Sequence, residues 1–284
     1  IHAGSGIIHA GAYAERRRVA ELLHAPVTTS WAARGVLPET SELAIPMPAI
    51  KLNNEVRNDA DLVLVVGSRL GETDWWGKAP YWRHPSEQQM IQVDIDGHIL
   101  GGNKPAALTV LADAKLFLAA LAAQLEGRAA GMNLDARRRK VGRYRDTLRA
   151  ERIKLDEKLT DLAVPMNPAH VAHVCQQVFP EGSVLVADGG NTAVWAMMFH
   201  EMRVPNTILS TFKFGMLGAG AAQATGAAVA RPDVPVCCII GDGAMGFHPQ
   251  EVETAVRNGL QVIYLVVCDK QWGMVKMNQQ FALK

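Results

Sequence analysis

Short apolar runs that end in glycine or an acidic residue alternate with helical patterns along most of the chain, and this alternation constrains the fold more than any other feature. Leu62–Val66 is continuously apolar and is followed by Gly67, and Val236–Ile240 is followed by Gly241 in the same way. A run that is apolar at every position is typical of a strand buried on both faces. Strands that alternate with helices predict an α/β architecture with parallel sheets.

The predicted strands fall into two groups, separated by a charged stretch without apolar runs at residues 126–165. The first group is Val27–Ser30, Leu62–Val66, Ile91–Ile95 and Leu108–Leu111, and the second is Val184–Ala187, Val236–Ile240 and Val262–Val267. Helical patterns at Ala12–Leu23 and Ala114–Leu125 lie in the first half. We therefore predict two doubly wound parallel-sheet domains, residues 1–125 and 166–284, joined by a polar helical linker at 126–165.

Bulk properties exclude several classes of protein. The formal net charge is +1, so we expect no nucleic-acid partner. Apolar runs are too short to cross a bilayer, so we expect no membrane association. The four cysteines form no CxxC pair, which is typical of reduced thiols in the cytoplasm. The chain starts at Ile1, in a segment that predicts a turn, and both ends suggest a fragment with sequence missing on either side.

The strongest chemical motif is Gly241-Asp242-Gly243-Ala244-Met245, at the end of a predicted strand. Glycines let the backbone approach a ligand closely and present N–H groups to an anion. A helix predicted through residues 250–255 adds a favourable dipole for phosphate at its amino end. Asp242 supplies a hard oxygen ligand for the magnesium ion that neutralises a diphosphate.

A second polar turn is predicted to lie beside the first. The stretch after Gly243 holds a helical pattern and the strand Val262–Val267, and then Cys268-Asp269-Lys270-Gln271-Trp272-Gly273. A helical crossover of this length returns the chain to the same sheet edge. Asp269 and a backbone carbonyl near Gln271 would complete the oxygen shell of the metal, so the predicted metal ligands are Asp242, Asp269 and Gln271.

These motifs resemble those of thiamine-diphosphate enzymes, whose pattern is Gly-Asp-Gly, a spacer of this length and a polar pair that is usually Asn-Asn. The nearest resemblance is to the acetolactate synthase and pyruvate oxidase branch, and it covers nearly the whole chain. Residues 1–125 resemble the family's middle domain, and residues 166–284 most of its diphosphate-binding domain. The resemblance implies a homodimer or homotetramer that decarboxylates or ligates 2-oxo acids.

The resemblance also implies which residues bind the cofactor. Gly215–Gly220 matches the turn that places a bulky apolar residue, here Leu217, beneath the bent thiamine, and Asp188–Asn191 matches the first diphosphate loop. The implied cofactor-binding residues are Gly190, Asn191, Met216, Leu217, Gly241, Asp242, Gly243, Ala244, Met245, Asp269, Gln271, Trp272, Gly273 and Met274.

The chain departs from the family pattern in three places. Cys268-Asp269 replaces Asn-Asn, and a thiol cannot make the hydrogen bonds of an amide. The pyrimidine-binding domain, which carries the family's catalytic glutamate, has no counterpart here, so we expect no turnover by this chain alone and assign no catalytic residue. In acetolactate synthases, the segment after Gly-Met-Val carries a tryptophan that shapes the acceptor pocket, whereas Asn278 stands at about that position here.

The first half carries candidates for a nucleotide site. Gly67-Ser68-Arg69 and Asp94-Ile95-Asp96 end predicted strands, at positions that face a flavin (FAD) or ADP in relatives. The aromatic cluster Asp74–Trp82 suggests a buried subunit interface or a stacking surface for a ligand. Two alternatives therefore stay open: an enzyme for acyl-CoA substrates, similar to oxalyl-CoA decarboxylase or 2-hydroxyacyl-CoA lyase, and a non-catalytic nucleotide-binding module.

Overall fold

The structure is a computed structural model that describes residues 1–128, 131–160, 162–211 and 214–283. The chain divides into two compact units. Unit 1 comprises Ile1–Ile153 and Met202–Asn206, and unit 2 comprises Lys154–Glu201 and Thr207–Lys284. Among the described residues, no helix is both long enough and apolar enough to cross a bilayer.

Unit 1 is built on a five-stranded parallel sheet with the strand order β2-β1-β3-β4-β5. Its strands are β1 (His2–Ala3), β2 (Thr28–Thr29), β3 (Leu62–Val66), β4 (Gln89–Asp94) and β5 (Leu108–Leu111). In the centre, Val65 of β3 pairs with both His2 and Gln92, and all three residues are buried. A central strand of this kind loses water from both faces, which explains its continuous apolar sequence.

Helices flank this sheet and bury apolar faces against it. They are α1 (Gly6–His9), α2 (Tyr13–Leu23), α3 (Ile50–Asp59) and α4 (Ala114–Glu126), with 3₁₀ turns at Trp31–Ala33, Glu72–Gly77 and Gly97–Ile99. Asp113 begins α4 as its N-cap, because its carboxylate accepts hydrogen bonds from the backbone N–H groups of Lys115 and Leu116. Leu118 of α4 and Val19 of α2 are fully buried in the same apolar cluster.

The predicted linker contains the helix α5 (Asp135–Leu159), which is longer than any other in the described residues. Its first half packs on unit 1 and is not a free spacer. Val141 and Tyr144 are buried, and the Tyr144 hydroxyl donates a hydrogen bond to Asp59 Oδ2 over 2.8 Å. Arg143 forms an ion pair with the same carboxylate at 2.9 Å.

Unit 2 is built on a four-stranded parallel sheet with the order β7-β6-β8-β9. The strands are β6 (Val184–Ala187), β7 (Ile208–Ser210), β8 (Val236–Gly241) and β9 (Val262–Val267). The helices are α6 (Pro168–Val178), α7 (Gly190–Phe199), α8 (Ala219–Ala230), α9 (Asp242–Met245), α10 (Gln250–Arg257) and α11 (Gly273–Ala282). Because all four strands are parallel, their carboxyl ends meet at one edge of the sheet.

The two parallel sheets confirm the predicted fold class, but two local predictions were wrong and one strand was missed. Residues 1–6 were expected to form a turn, yet they contain β1 and the start of α1. The strand Ile208–Ser210 was not predicted. The helix that begins at the Gly-Asp-Gly turn is the short α9, and α10 starts only at Gln250, so its amino end does not begin at that turn.

Candidate functional site

The loop after β6 is anchored by Asp188, which is fully buried. Its Oδ2 accepts a hydrogen bond from the backbone N–H of Gly218 at 3.0 Å, and its Oδ1 accepts one from Gly220 at 2.7 Å. A buried carboxylate needs such donors to offset its desolvation. Asp188 therefore ties the end of β6 to the start of α8 and has no free oxygen for a ligand.

Two glycines after Asp188 bring this loop into close contact with the Gly215–Leu217 loop. A methyl group on Gly189 would lie 2.8 Å from the Gly215 carbonyl oxygen and 3.0 Å from Leu217 Cδ2. Gly190 has φ 76°, in the left-handed region that favours glycine. Leu217 thus lies against the loop that carries Asn191, whereas Met216 is about half exposed. The structure thus brings together four of the predicted site residues, namely Gly190, Asn191, Met216 and Leu217.

Asp242 lies immediately after β8, and its two carboxylate oxygens have different surroundings. Oδ2 accepts a hydrogen bond from the backbone N–H of Lys270 at 3.1 Å and lies 3.6 Å from the Cys268 thiol. Oδ1 is shielded from solvent and has no hydrogen-bond partner among the described residues. An unpartnered buried carboxylate oxygen is costly unless a ligand or cation satisfies it.

Hydrogen bonding also sets the charge of Asp242. Desolvation opposes its ionisation, but the backbone N–H of Gly243, the Cys268 thiol and the backbone N–H groups of Asp269 and Lys270 lie near the carboxylate and outweigh it. The pKa of Asp242 is therefore lowered, and the side chain is an anion near neutral pH.

Asp269 follows β9, the neighbour of β8 in the sheet. Its Oδ1 accepts a hydrogen bond from the backbone N–H of Gln271 at 3.1 Å, and its Oδ2 is 3.5 Å from Gln271 Nε2. Each candidate ligand, Asp242 and Asp269, therefore keeps one oxygen without a backbone donor. In the part of the chain that the structure describes, no group of three or more His, Cys, Asp or Glu side chains could hold a metal ion. Two carboxylates are a sufficient protein contribution for Mg²⁺, which takes its remaining ligands from water and phosphate.

Trp272 packs directly on the Gly-Asp-Gly turn. A methyl group on Gly243 would overlap the Cδ1 and Nε1 atoms of the indole, so a larger residue at this position would displace Trp272. The indole also stacks on Phe247, with ring centroids 6.0 Å apart. Ala244 is buried beneath the turn, and Met245 packs on the same apolar cluster.

The loops after β6 and β9 approach each other at Gly273. A methyl group there would lie 2.9 Å from Asp269 Oδ2 and 3.1 Å from Asn191 Nδ2. The loop after β6 therefore meets the loop after β9, and Met274 lies next to this contact, half-buried. The predicted site residues thus gather at one sheet edge, as the parallel topology requires.

Sequence analysis did not single out two polar side chains at this edge. The thiol of Cys268 contacts Asp242, although the sequence suggested only a lost amide. The ammonium of Lys276 lies 2.8 Å from Gln271 Oε1. Its position four residues after Trp272, one helical turn along α11, is the signal that could have found it.

The nucleotide candidates of unit 1 lie at strand ends, as predicted. Arg69 is exposed, and its carbonyl accepts a hydrogen bond from Asn103 Nδ2 at 2.9 Å. Asp96 is also exposed and accepts a hydrogen bond from the His98 N–H. In the aromatic cluster, Trp82 is buried, whereas Trp75 stacks on Tyr81 with centroids 4.0 Å apart and is partly exposed.

Two protein-family models match the chain. Residues 1–121 match the central domain of thiamine pyrophosphate enzymes, and residues 188–284 match their C-terminal TPP binding domain. The second match spans every cofactor-binding residue predicted from the sequence. Together the two models cover more than half of the chain.

Curated relatives agree with this assignment. Sulfoacetaldehyde acetyltransferase of Castellaniella defragrans is 29% identical over 98% of this chain and 50% of its own length. A probable acetolactate synthase 2 of Oryza sativa subsp. japonica is 31% identical over 92% of this chain and 39% of its own length. A probable acetolactate synthase large subunit of Methanococcus aeolicus is 24% identical over 97% of this chain and 47% of its own length. The chain spans about half the length, or less, of these relatives. By both of its domains, the chain belongs to the thiamine pyrophosphate enzyme family.

Proposed function

We propose that unit 2 binds thiamine diphosphate through a Mg²⁺ ion held by Asp242, Asp269 and the backbone carbonyl of Gln271. The observation that carries this proposal is the buried Oδ1 of Asp242, which has no partner among the described residues. It lies at the carboxyl edge of a parallel sheet, where ligands of such folds bind. A divalent cation there would ligate this oxygen together with Asp269 Oδ2, which has no backbone donor and lies 3.5 Å from Gln271 Nε2.

The remaining contacts fit a diphosphate and an apolar ring. Gly190 and Asn191, at the start of α7, offer N–H donors for phosphate oxygens. Leu217, held against the same loop, offers an apolar surface for the thiazolium and pyrimidine rings. Trp272, Gly273 and Met274 close the site from the β9 side. When bound, thiamine diphosphate supplies the electron sink for decarboxylating a 2-oxo acid.

For the whole protein we propose decarboxylation of a 2-oxo acid followed by transfer of the acyl unit to an acceptor, in a homodimer or homotetramer. The similarity to acetolactate synthases and sulfoacetaldehyde acetyltransferases supports this reaction class, because an acetyltransferase transfers an acetyl group and an acetolactate synthase forms a product that contains one. The chain supplies no candidate for the family's catalytic glutamate, so we expect no turnover by residues 1–284 alone. FAD or ADP binding near Arg69 and Asp96 is a separate proposal, tested by nucleotide titration.

A second candidate is acyl transfer to a sulfonated aldehyde. It is favoured by the 29% identity to sulfoacetaldehyde acetyltransferase, which extends over 98% of the chain. Comparing pyruvate, 2-oxobutyrate and sulfoacetaldehyde as acceptors in the full-length protein separates it from acetolactate synthesis. Turnover of CoA esters would support the acyl-CoA alternative instead.

Calorimetry of the full-length protein tests the cofactor site. We expect thiamine diphosphate to bind only in the presence of Mg²⁺, and Asp242→Ala to abolish binding because the diphosphate loses its bridging cation. Asp233→Ala, which removes an exposed carboxylate paired with Arg231, is the matched control and should leave the affinity unchanged. Wild-type affinity in Asp242→Ala would refute the assignment.

A further inference from the structure

Lys276 is a cation held in place by a neutral partner. Its Nζ donates a hydrogen bond to Gln271 Oε1 at 2.8 Å, and within the described residues no carboxylate forms an ion pair with it. Lys115 and Lys140 differ, because each lies near a carboxylate, that of Glu15 at 3.9 Å and that of Asp59 at 3.8 Å, respectively. Lys276 is thus an exposed ammonium beside an amide, and no carboxylate among the described residues neutralises its charge.

Gln271 links this charge to the candidate cofactor site. Its backbone N–H and its Nε2 face the two carboxylate oxygens of Asp269, at 3.1 and 3.5 Å. The same side chain presents its Oε1 to Lys276. Two side-chain contacts thus connect the ammonium to a proposed metal ligand, which places Lys276 at the border of the site.

The helix that carries Lys276 offers nothing that would repel an anion. The sequence of α11, GMVKMNQQFA, contains no acidic residue. Its polar side chains one helical turn after Lys276 are the amides of Gln279 and Gln280, at the i+3 and i+4 positions. An ammonium next to amide groups suits a small anionic group, because the amides donate hydrogen bonds while the ammonium supplies the charge.

We infer that Lys276 binds the anionic end of the acceptor substrate, a short aldehyde or 2-oxo acid that carries a sulfonate or carboxylate. This inference rests on the proposed function, since it assumes that the acyl acceptor enters beside the cofactor. Gln271 acts as a positioning residue, because it holds the lysine through its Oε1. A neutral acceptor of equal size gains nothing from this charge.

The test uses the full-length protein with pyruvate as a saturating donor. Lys276→Met removes the charge and keeps the length of the side chain, and Lys276→Arg keeps the charge. Sulfoacetaldehyde and 2-oxobutyrate are the anionic acceptors, and propionaldehyde is the neutral one. We expect Lys276→Met to raise the KM of the anionic acceptors about tenfold, or about 1.4 kcal/mol, and to leave the KM of propionaldehyde unchanged. The KM values of Lys276→Arg should stay near those of the wild type, and so should those of the control variant Lys51→Met on α3.

A binding measurement gives a readout that is independent of turnover. Calorimetric titration with ethanesulfonate, a sulfonate that cannot react, should show binding to the wild type and at least tenfold weaker binding to Lys276→Met. The inference would be overturned if Lys276→Met changed the KM of charged and neutral acceptors equally, or changed neither. A loss of thiamine-diphosphate affinity in Lys276→Met would also overturn it, because the lysine would then hold the diphosphate. If the wild type binds no thiamine diphosphate, the proposed function fails, and the ethanesulfonate titration still decides the role of Lys276.

Discussion

The backbone N–H of Lys270 donates a hydrogen bond to Asp242 Oδ2 over 3.1 Å, so the turn after β9 is fastened to the turn after β8 by the candidate metal ligand itself. Lys270 adopts φ 57°, a left-handed conformation that is uncommon for a residue with a side chain. The bond uses one oxygen of Asp242 for structure and leaves Oδ1 for a cation. Loss of the carboxylate would therefore affect both loops.

Asp269 allows a test that separates charge from ligation. We expect Asp269→Asn to retain Mg²⁺-dependent thiamine-diphosphate binding, because an amide oxygen can still ligate magnesium. Asp269→Ala removes the ligand and should weaken binding by at least tenfold. Calorimetry on the full-length protein measures both. Equal affinities for the Asn and Ala variants would show that Asp269 does not bind the metal.

Gly243 and Trp272 should be energetically coupled. A methyl group at Gly243 overlaps the indole, so Gly243→Ala must displace Trp272 and should cost roughly 1–3 kcal/mol of stability. The double variant Gly243→Ala/Trp272→Ala should recover most of this loss, because the second change removes the overlap. Thermal unfolding of the four proteins gives the double-mutant cycle. If the two substitutions had additive effects on stability, the contact between Gly243 and Trp272 would be contradicted.

Asp188 should matter more for stability than an exposed cap of similar geometry. Asp188→Ala leaves the N–H groups of Gly218 and Gly220 without their acceptor in a buried loop, and we expect a loss of roughly 3 kcal/mol. Asp113→Ala removes the exposed N-cap of α4 and should cost about 1 kcal/mol. Denaturant unfolding compares the two variants. A smaller effect at Asp188 than at Asp113 would refute its role as an anchor.

Acid sensitivity should arise in unit 1 from Asp74. Burial opposes its ionisation, but His2, whose Nε2 lies 3.5 Å from its Oδ1, together with Arg57 and Ser68 lowers the pKa of Asp74 below its ordinary value. A carboxyl with a lowered pKa stabilises the fold above its unfolded pKa of about 3.9, and this contribution is lost as the pH falls further.

The Asp74→Asn variant checks this linkage. It should be less stable than the wild type at pH 7, and the difference should shrink as the pH falls below about 4, because the wild type then protonates Asp74. Melting temperatures across this range measure the effect. The control Asp233→Asn removes an exposed carboxylate that pairs with Arg231 and should change little at any pH. If the difference in melting temperature between the wild type and Asp74→Asn stayed constant across this pH range, the linkage would be contradicted.

The parts of the fold that follow from local sequence were predictable. Val184–Ala187 and Val262–Val267 form strands over the predicted residues, because a short apolar run that ends in turn residues is typical of a strand in a parallel sheet. The strands His2–Ala3 and Ile208–Ser210 were missed, since two or three residues have no periodicity and pair only because a neighbouring strand is present. The gathering of Asp242 and Asp269 at one edge followed from parallel topology.

Contacts between distant residues were not predictable from the sequence. The packing of Trp272 on Gly243, the inward orientation of Asp188 and the docking of Tyr144 on Asp59 depend on how elements pack in three dimensions. A polar helix pattern indicates only that residues 135–159 are helical, and it does not say which surface they cover. Lys276 was missed for the same reason, because its significance comes from Gln271 and not from its own sequence context.

Asn278 leads to the last prediction, which concerns the acceptor. In the related acetolactate synthases an indole at about this position forms an apolar wall, and a carboxamide removes that wall and adds polar groups that need partners. An acceptor with an ethyl group, such as 2-oxobutyrate, should therefore bind little more tightly than pyruvate, and a more polar acceptor should be preferred. We expect Asn278→Trp in the full-length protein to raise the ratio of acetohydroxybutyrate to acetolactate at least tenfold when pyruvate and 2-oxobutyrate compete, while Asn278→Gln leaves the ratio unchanged. A wild-type enzyme that already strongly prefers 2-oxobutyrate would show that Asn278 does not define the pocket, because an apolar wall must then come from another residue.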